Sequence, residues 1–257
     1  MGRAGKAVTR FSPAGWFFLP VRDFFSGLET CLSDGKMGYV LLMLLSSAAS
    51  WWVYVPVHEL LHALGCVLGG GKVTRLEISG IYGATLLKKV FPFVSVGSEY
   101  SGRLTGFDTG GSDFTYFFTD FLPYLLTILI GVPLLRSVAF LKTSPPVKCI
   151  VLGLAAPLAY VPFMSATGDY YEMGSLLISK AAVLYSPSLN PVRWRSDDLF
   201  RLIGTLTSSR GATCALDGMV VTVSLIVGLI MAFATYWAGA VWARTIIRSR
   251  QGGLKAK

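Results

Sequence analysis

The stretch 53-VYVPVHELLHALGCVLGGG-71 sets two histidines and a glutamate, His58, Glu59 and His62, inside one of the most apolar parts of the chain. Ionisable side chains are costly in such a place unless something pairs with them. The spacing supplies a reason for the cost. Residues four apart on a helix lie on one face, so the imidazoles of an H-E-x-x-H run can grip one metal ion while the intervening Glu reaches its water. These are the only two histidines in the protein. The ordinary alternative is two buried histidines on a packing face, each bonded to backbone, which makes poor use of the residue in a membrane.

Working outward, the chain has 257 residues, of which 53% are hydrophobic and 14% charged. Soluble domains carry roughly a quarter charged residues. Mean hydropathy is +0.58, and apolar runs are long enough to cross a bilayer. The expected fold class is an all-α polytopic, multi-pass integral membrane protein. It has about four transmembrane helices, within a range of four to six, and a short β-hairpin-like insertion after the HExxH helix. Formal net charge is +9, but no basic helix interleaved with exposed aromatics is present, so nucleic acid is not an expected partner. Lys and Arg instead flank the apolar runs, which points to lipid headgroups. The four cysteines, Cys31, Cys66, Cys149 and Cys214, contain no CxxC and suggest neither a disulfide framework nor a cysteine metal site.

Residues 1–36 read as an N-terminal interfacial segment. Its apolar part is interrupted by Pro13, Pro20 and Arg22, so it lacks the continuous core of a secretory signal. Lys6 stands where a myristoylation site at Gly2 wants Ser or Thr. Residues 37–257 form the expected membrane-embedded domain, with spans Met37–Gly69 (Pro56 a kink), Phe114–Phe140, Cys149–Gly168 and Met219–Ala243. Between the first two spans, 70-GGKVTRLEISGIYGATLLKKVFPFVSVG-97 alternates apolar and polar residues with glycine punctuation, as short strands or a hairpin do. The following 101-SGRLTGFDTGGSDF-114 reads as a mobile polar loop. The stretch 189-LNPVRWRSDDLFRLIGTL-206 reads as a loop leading into an amphipathic helix, with Asp197 and Asp198 near its start.

Span order then sorts residues by side. If the first span runs from side A to side B, His58 and His62 lie towards its B end. The second span returns to A and the third reaches B, which places Asp169 of 166-ATGDYYEMG-174 there. The fourth starts at B with Asp217. Zinc suits imidazole plus carboxylate ligands, and a catalytic zinc site has three protein ligands and an open position. With no third histidine, the third ligand must be Asp or Glu. Asp169 is preferred by side and span order. Asp217 is the alternative, although an Asp at that place is also an ordinary helix cap. Glu172 is the ligand if the site is of a Glu-ligand type.

At these residues the chain resembles the site-2 protease family of intramembrane zinc metalloproteases. The resemblance is carried by 58-HELLHALG-65, by the glycine-bearing 69-GGGKVTRLEISG-80, and by an Asp one intervening span later, and it covers roughly Val40 to Leu177. It implies a third ligand from an Asp in a later helix, within an NxxPxxPLDG-like stretch. By span order that role falls on Asp169, with Pro157 and Pro162 upstream, while the literal LDG lies one span later at Leu216–Gly218. It also implies an Asn near that ligand; the only Asn of the chain, Asn190, sits in a loop.

The expected function is therefore a zinc metalloendopeptidase with Glu59 as catalytic base and His58, His62 and Asp169 as ligands. Its substrate would be a membrane-tethered protein, cut in or near its transmembrane segment. The region Lys72–Val96 would offer a strand edge to pair with an unwound substrate. Two other readings compete: a non-proteolytic zinc-binding membrane protein, which has no need of Glu59, and a transporter, which predicts an internal repeat that is not visible. Side A segments (1–36, 136–148, 244–257) carry 13 Lys and Arg against 3 acids. The positive-inside rule makes that side cytoplasmic, whereas the resemblance implies a site closer to the cytosol.

Overall fold

The computed structural model describes residues 13–186, 188–208 and 214–255. Four helical stretches in it are long and apolar enough to cross a bilayer: Gly38–Leu68, Asp113–Phe140, Pro145–Tyr185 and Ala215–Ile246. The fold is all-α and polytopic, with one small sheet. Ahead of the spans lie α1 (Pro13–Phe17) and α2 (Leu19–Cys31). The first span is α3 (Gly38–Leu68), which carries Pro56 inside it.

The insertion after α3 is not a hairpin. Strand β1 (Lys72–Ile78) leads through a 3-10 turn and α4 (Ala84–Val90) to β2 (Val94–Val96), which pairs parallel to β1. Strand β3 (Gly102–Asp108) then pairs antiparallel on the other side of β1, giving the order β2-β1-β3. Parallel neighbours need a crossover rather than a tight turn, and α4 provides it. The expected mobile loop at 101–114 is thus half strand. Gly102 and Gly106 dilute its strand signal, and pairing with β1 overrides local propensity. The sheet turns back along α3. Gly71 packs at Cys66, and the Ile81 carbonyl accepts from Trp52 Nε1 at 2.5 Å. Trp52 is 16 residues before Leu68, about 24 Å along the helix. Leu76, Ile78 and Val94 seal the sheet against Ala63.

The second span is broken where its prolines remove donors. It comprises α5 (Asp113–Phe121), a 3-10 turn at Leu122–Tyr124, a π turn at Thr127–Gly131, and α6 (Val132–Ser137). Ser112 caps α5 by accepting from the Thr115 amide. The third stretch is α7 (Pro145–Met164) followed, after a turn at 165–168, by α8 (Asp169–Tyr185). It extends further than the single span ending at Gly168 expected from hydropathy. The chain closes with α9 (Leu199–Ser208) and α10 (Cys214–Lys255).

Helices α3 and α7 run parallel and close. A Cβ on Gly153 would overlap the Met43 carbonyl, and Ser50 Oγ donates to the Leu154 carbonyl at 2.8 Å. Small residues at such crossings let backbones approach where lipid offers no hydrophobic drive. Helix α8 crosses α10 in the same way through Gly174 and Gly228. The 20 residues of α7 span about 30 Å, one hydrocarbon thickness. Asp169 therefore lies about that depth from side A. Gly153→Val should lower stability by about 1–3 kcal/mol by overpacking, read as a lower thermal midpoint in detergent. Gly218→Ala, which meets nothing within 4 Å, should leave it unchanged.

Candidate metal centre

His58 and His62 stand one turn apart on α3, 8% and 7% exposed. Their Nε2 atoms are 3.0 Å from each other, and each is 3.4 Å from Asp169 Oδ2. The parallel contact of α3 with α7 sets this meeting, because the turn at 165–168 delivers the first residue of α8 to the histidine face. Among the described residues, His58, His62 and Asp169 form the group of His, Cys, Asp and Glu side chains whose ligand atoms could hold one metal ion.

The far side of each ring decides what the near side offers. His62 Nδ1 lies 2.9 Å from the Thr119 carbonyl. A carbonyl only accepts, so Nδ1 carries the hydrogen and Nε2 presents a lone pair. His58 Nδ1 lies 2.6 Å from the Tyr54 hydroxyl, and Tyr124 donates its hydroxyl hydrogen to Asp169 Oδ2 at 2.6 Å. Such outer contacts fix ring orientation and tautomer in metal sites. With the Tyr54 hydroxyl accepting from His58 Nδ1–H, His58 Nε2 presents a lone pair too, and two imidazole nitrogens and a carboxylate oxygen face one point where a cation can sit. Four ligands placed tetrahedrally about 2.05 Å from an ion are about 3.3 Å apart, close to the separations found here. The donor set fits a metal ion.

Glu59, half-buried on the same turn, lines a cavity of about 720 Å³ together with His62, Asp120, Asp169, Glu172 and Arg103. Gly102 of β3 packs directly on it: a Cβ there would overlap Glu59 Cγ and Cδ. The glycine keeps the carboxylate against the outer strand of the sheet. The strand edge beside the cavity thus belongs to β3, whereas the expected region Lys72–Val96 holds the central β1 and the opposite edge β2.

Asp217 is engaged elsewhere. Both its oxygens accept hydrogen bonds, from Arg193 Nη2 at 2.7 Å, Arg193 Nε at 3.0 Å and Trp194 Nε1 at 2.8 Å. Glu172 faces the cavity but accepts from the Tyr116 hydroxyl. Asn190 bonds the Val192 amide at 3.1 Å and stays outside the cavity lining. The segment after it roofs the cavity with Arg195, Ser196 and Asp197. Arg103 grips Asp197 at 2.6 and 2.9 Å, and Tyr100 donates to Asp198 at 2.7 Å. The Arg201 amide, and after it the Tyr100 hydroxyl, hold the Asp198 carboxyl below the usual carboxylate range. That makes Asp198 the N-cap of α9.

The sequence reading missed Tyr54, Thr119, Asp120 and Tyr124. Tyr54 had a signal, four residues before His58 on the same face. Asp120 had another, as an acid inside an apolar span. Thr119 acts through its backbone and left no trace. No protein-family model, curated protein or solved structure matches the chain. Metal analysis of purified protein should find one divalent ion per chain, lost in Asp169→Ala and retained in Asp217→Ala. Tyr124→Phe should weaken metal affinity about 10- to 100-fold, measured by competition with a chelator.

Proposed function

We propose that the chain is an intramembrane zinc metalloendopeptidase of the site-2 protease kind. It would hydrolyse a peptide bond in or beside the transmembrane segment of a membrane-tethered protein. One observation carries the reading: His58, His62 and Asp169 converge with ligand-like spacing, and Glu59, the acid of the HExxH run, opens onto the same cavity. Two imidazoles and one carboxylate with an open side are a catalytic zinc donor set.

A zinc ion held there supplies Lewis-acid polarisation of a carbonyl and a more acidic water. The chain's own residues do the rest. Glu59 accepts the water's proton and returns it to the departing amine. Tyr54, Thr119 and Tyr124 hold the donors in place. A transmembrane helix conceals its peptide groups in its own hydrogen bonds, so it must be extended before attack. The free edge of β3 offers backbone partners for an added strand, and Gly102 sets that edge against Glu59. The cavity, lined by charged and polar groups at the far end of α7, gives water a place beside the donors.

In a co-expression assay with a tethered substrate, Glu59→Gln should keep its metal and lose about 10²- to 10⁴-fold in cleavage rate. Equal cleavage by wild type and Glu59→Gln would remove the proposal, as would no cleavage of any tethered segment by the metal-loaded wild type. Gly102→Ala, which pushes on the Glu59 side chain, should slow cleavage without changing metal content.

A further inference from the structure

The cavity holds two carboxyl groups that the proposed chemistry does not use. Asp120, on α5, is 6% exposed, and its Oδ2 accepts no hydrogen bond while sealed from solvent. Glu172, on α8, is also 6% exposed and accepts from Tyr116 alone. Neither forms an ion pair with Lys or Arg among the described residues. Of the three arginines that line the cavity, Arg103 is bound at two points to Asp197 and Arg195 to Asp113 at 2.8 Å, and Arg201 makes no ion pair with either acid among the described residues. The unpartnered buried oxygen of Asp120 is costly, and a cation that joined it beside Glu172 would relieve that cost.

We propose that Asp120 and Glu172 form a subsite for a positively charged group of the substrate chain, a lysine ammonium or arginine guanidinium. The proposal rests on the reading that a peptide enters this cavity. A second metal ion fits less well, because no third His, Cys, Asp or Glu atom joins these two in a ligand group among the described residues. The depth agrees with an organic cation. Lys and Arg concentrate at the ends of transmembrane segments, and the centre lies about one hydrocarbon thickness from side A. A substrate span whose end reaches Glu59 brings its flanking basic residue to this level. The subsite would thus choose which bond is presented by holding the charge next to it.

The test uses the full chain in detergent, carrying Glu59→Gln and loaded with metal. Apolar ten-residue peptides each bear one lysine at a scanned position and are compared with norleucine twins. At the best position the lysine peptide should bind about tenfold more tightly, the scale of a charge-assisted hydrogen bond. Asp120→Asn or Glu172→Gln should reduce that preference to less than about threefold. Equal affinity for every lysine and norleucine pair would overturn the proposal, and that comparison needs no change at either acid, so misfolding of a variant does not shelter it. A preference surviving both substitutions in folded, metal-loaded protein would overturn it too. So would two metal ions per chain, with the second displaced by Asp120→Asn. Cleavage by the chain with Glu59 intact separates the two claims. Lysine preference without cleavage of either peptide keeps the subsite and removes the protease, whereas cleavage of both with equal affinity does the reverse.

Discussion

Three potential ligand atoms converge beside a polar cavity: His58 Nε2, His62 Nε2 and Asp169 Oδ2, 3.0–3.4 Å apart. That spacing suits a cation held between them, and the fold must supply the means to keep the donors there. The means are visible. The imidazoles are tethered from behind by Thr119 and Tyr54, and the carboxylate by Tyr124. The glycine crossing at Gly153 locks α3 to α7, and the turn at 165–168 brings Asp169 into register with the histidines.

The same constraint explains the irregular elements around the centre. The third stretch breaks after Met164, and Asp169 opens the next helix at the histidine face. The α5 helix ends at Phe121 in a 3-10 turn, placing the Thr119 carbonyl on His62 and the Tyr124 hydroxyl on Asp169. Departures from helical regularity at membrane depth survive only where protein or water satisfies the freed groups. Here they border a polar cavity, roofed by the 195–198 segment and joined to β3 through Arg103 and Tyr100. Ion pairs in such partly exposed places contribute little. The roof is held chiefly at its ends, where Trp194 and Leu199 are buried in one apolar cluster with Tyr171 and Val220 and the Leu199 amide donates to the Thr167 carbonyl at 3.1 Å.

What could be read from the sequence follows the range of the interactions. HELLH is local, because the helix repeat alone brings His58 and His62 together. The spans were legible because a bilayer demands long apolar runs. Asp169 emerged only from counting crossings, and its local context, a turn ahead of a helix, resembles any capping Asp. Asp217, the alternative on the same side, is set apart by its partners Arg193 and Trp194, more than 20 residues away in the chain. The sheet was half visible: β1 alternates clearly, while glycine-rich β3 resembles a loop until β1 pairs with it. The edge beside Glu59 therefore lies on β3, outside the Lys72–Val96 region whose alternation is legible. Asp120 was readable as an acid in an apolar run, yet its neighbours along the chain say nothing about Glu172.

X-ray absorption at the zinc edge on the purified chain probes the converging donors most directly. The expected spectrum has a shell of nitrogen and oxygen only, at about 2.0–2.1 Å, with the outer-shell scattering of two imidazoles. A sulfur shell near 2.3 Å, which would place the ion on buried cysteines instead, would contradict it. So would a spectrum with no imidazole contribution.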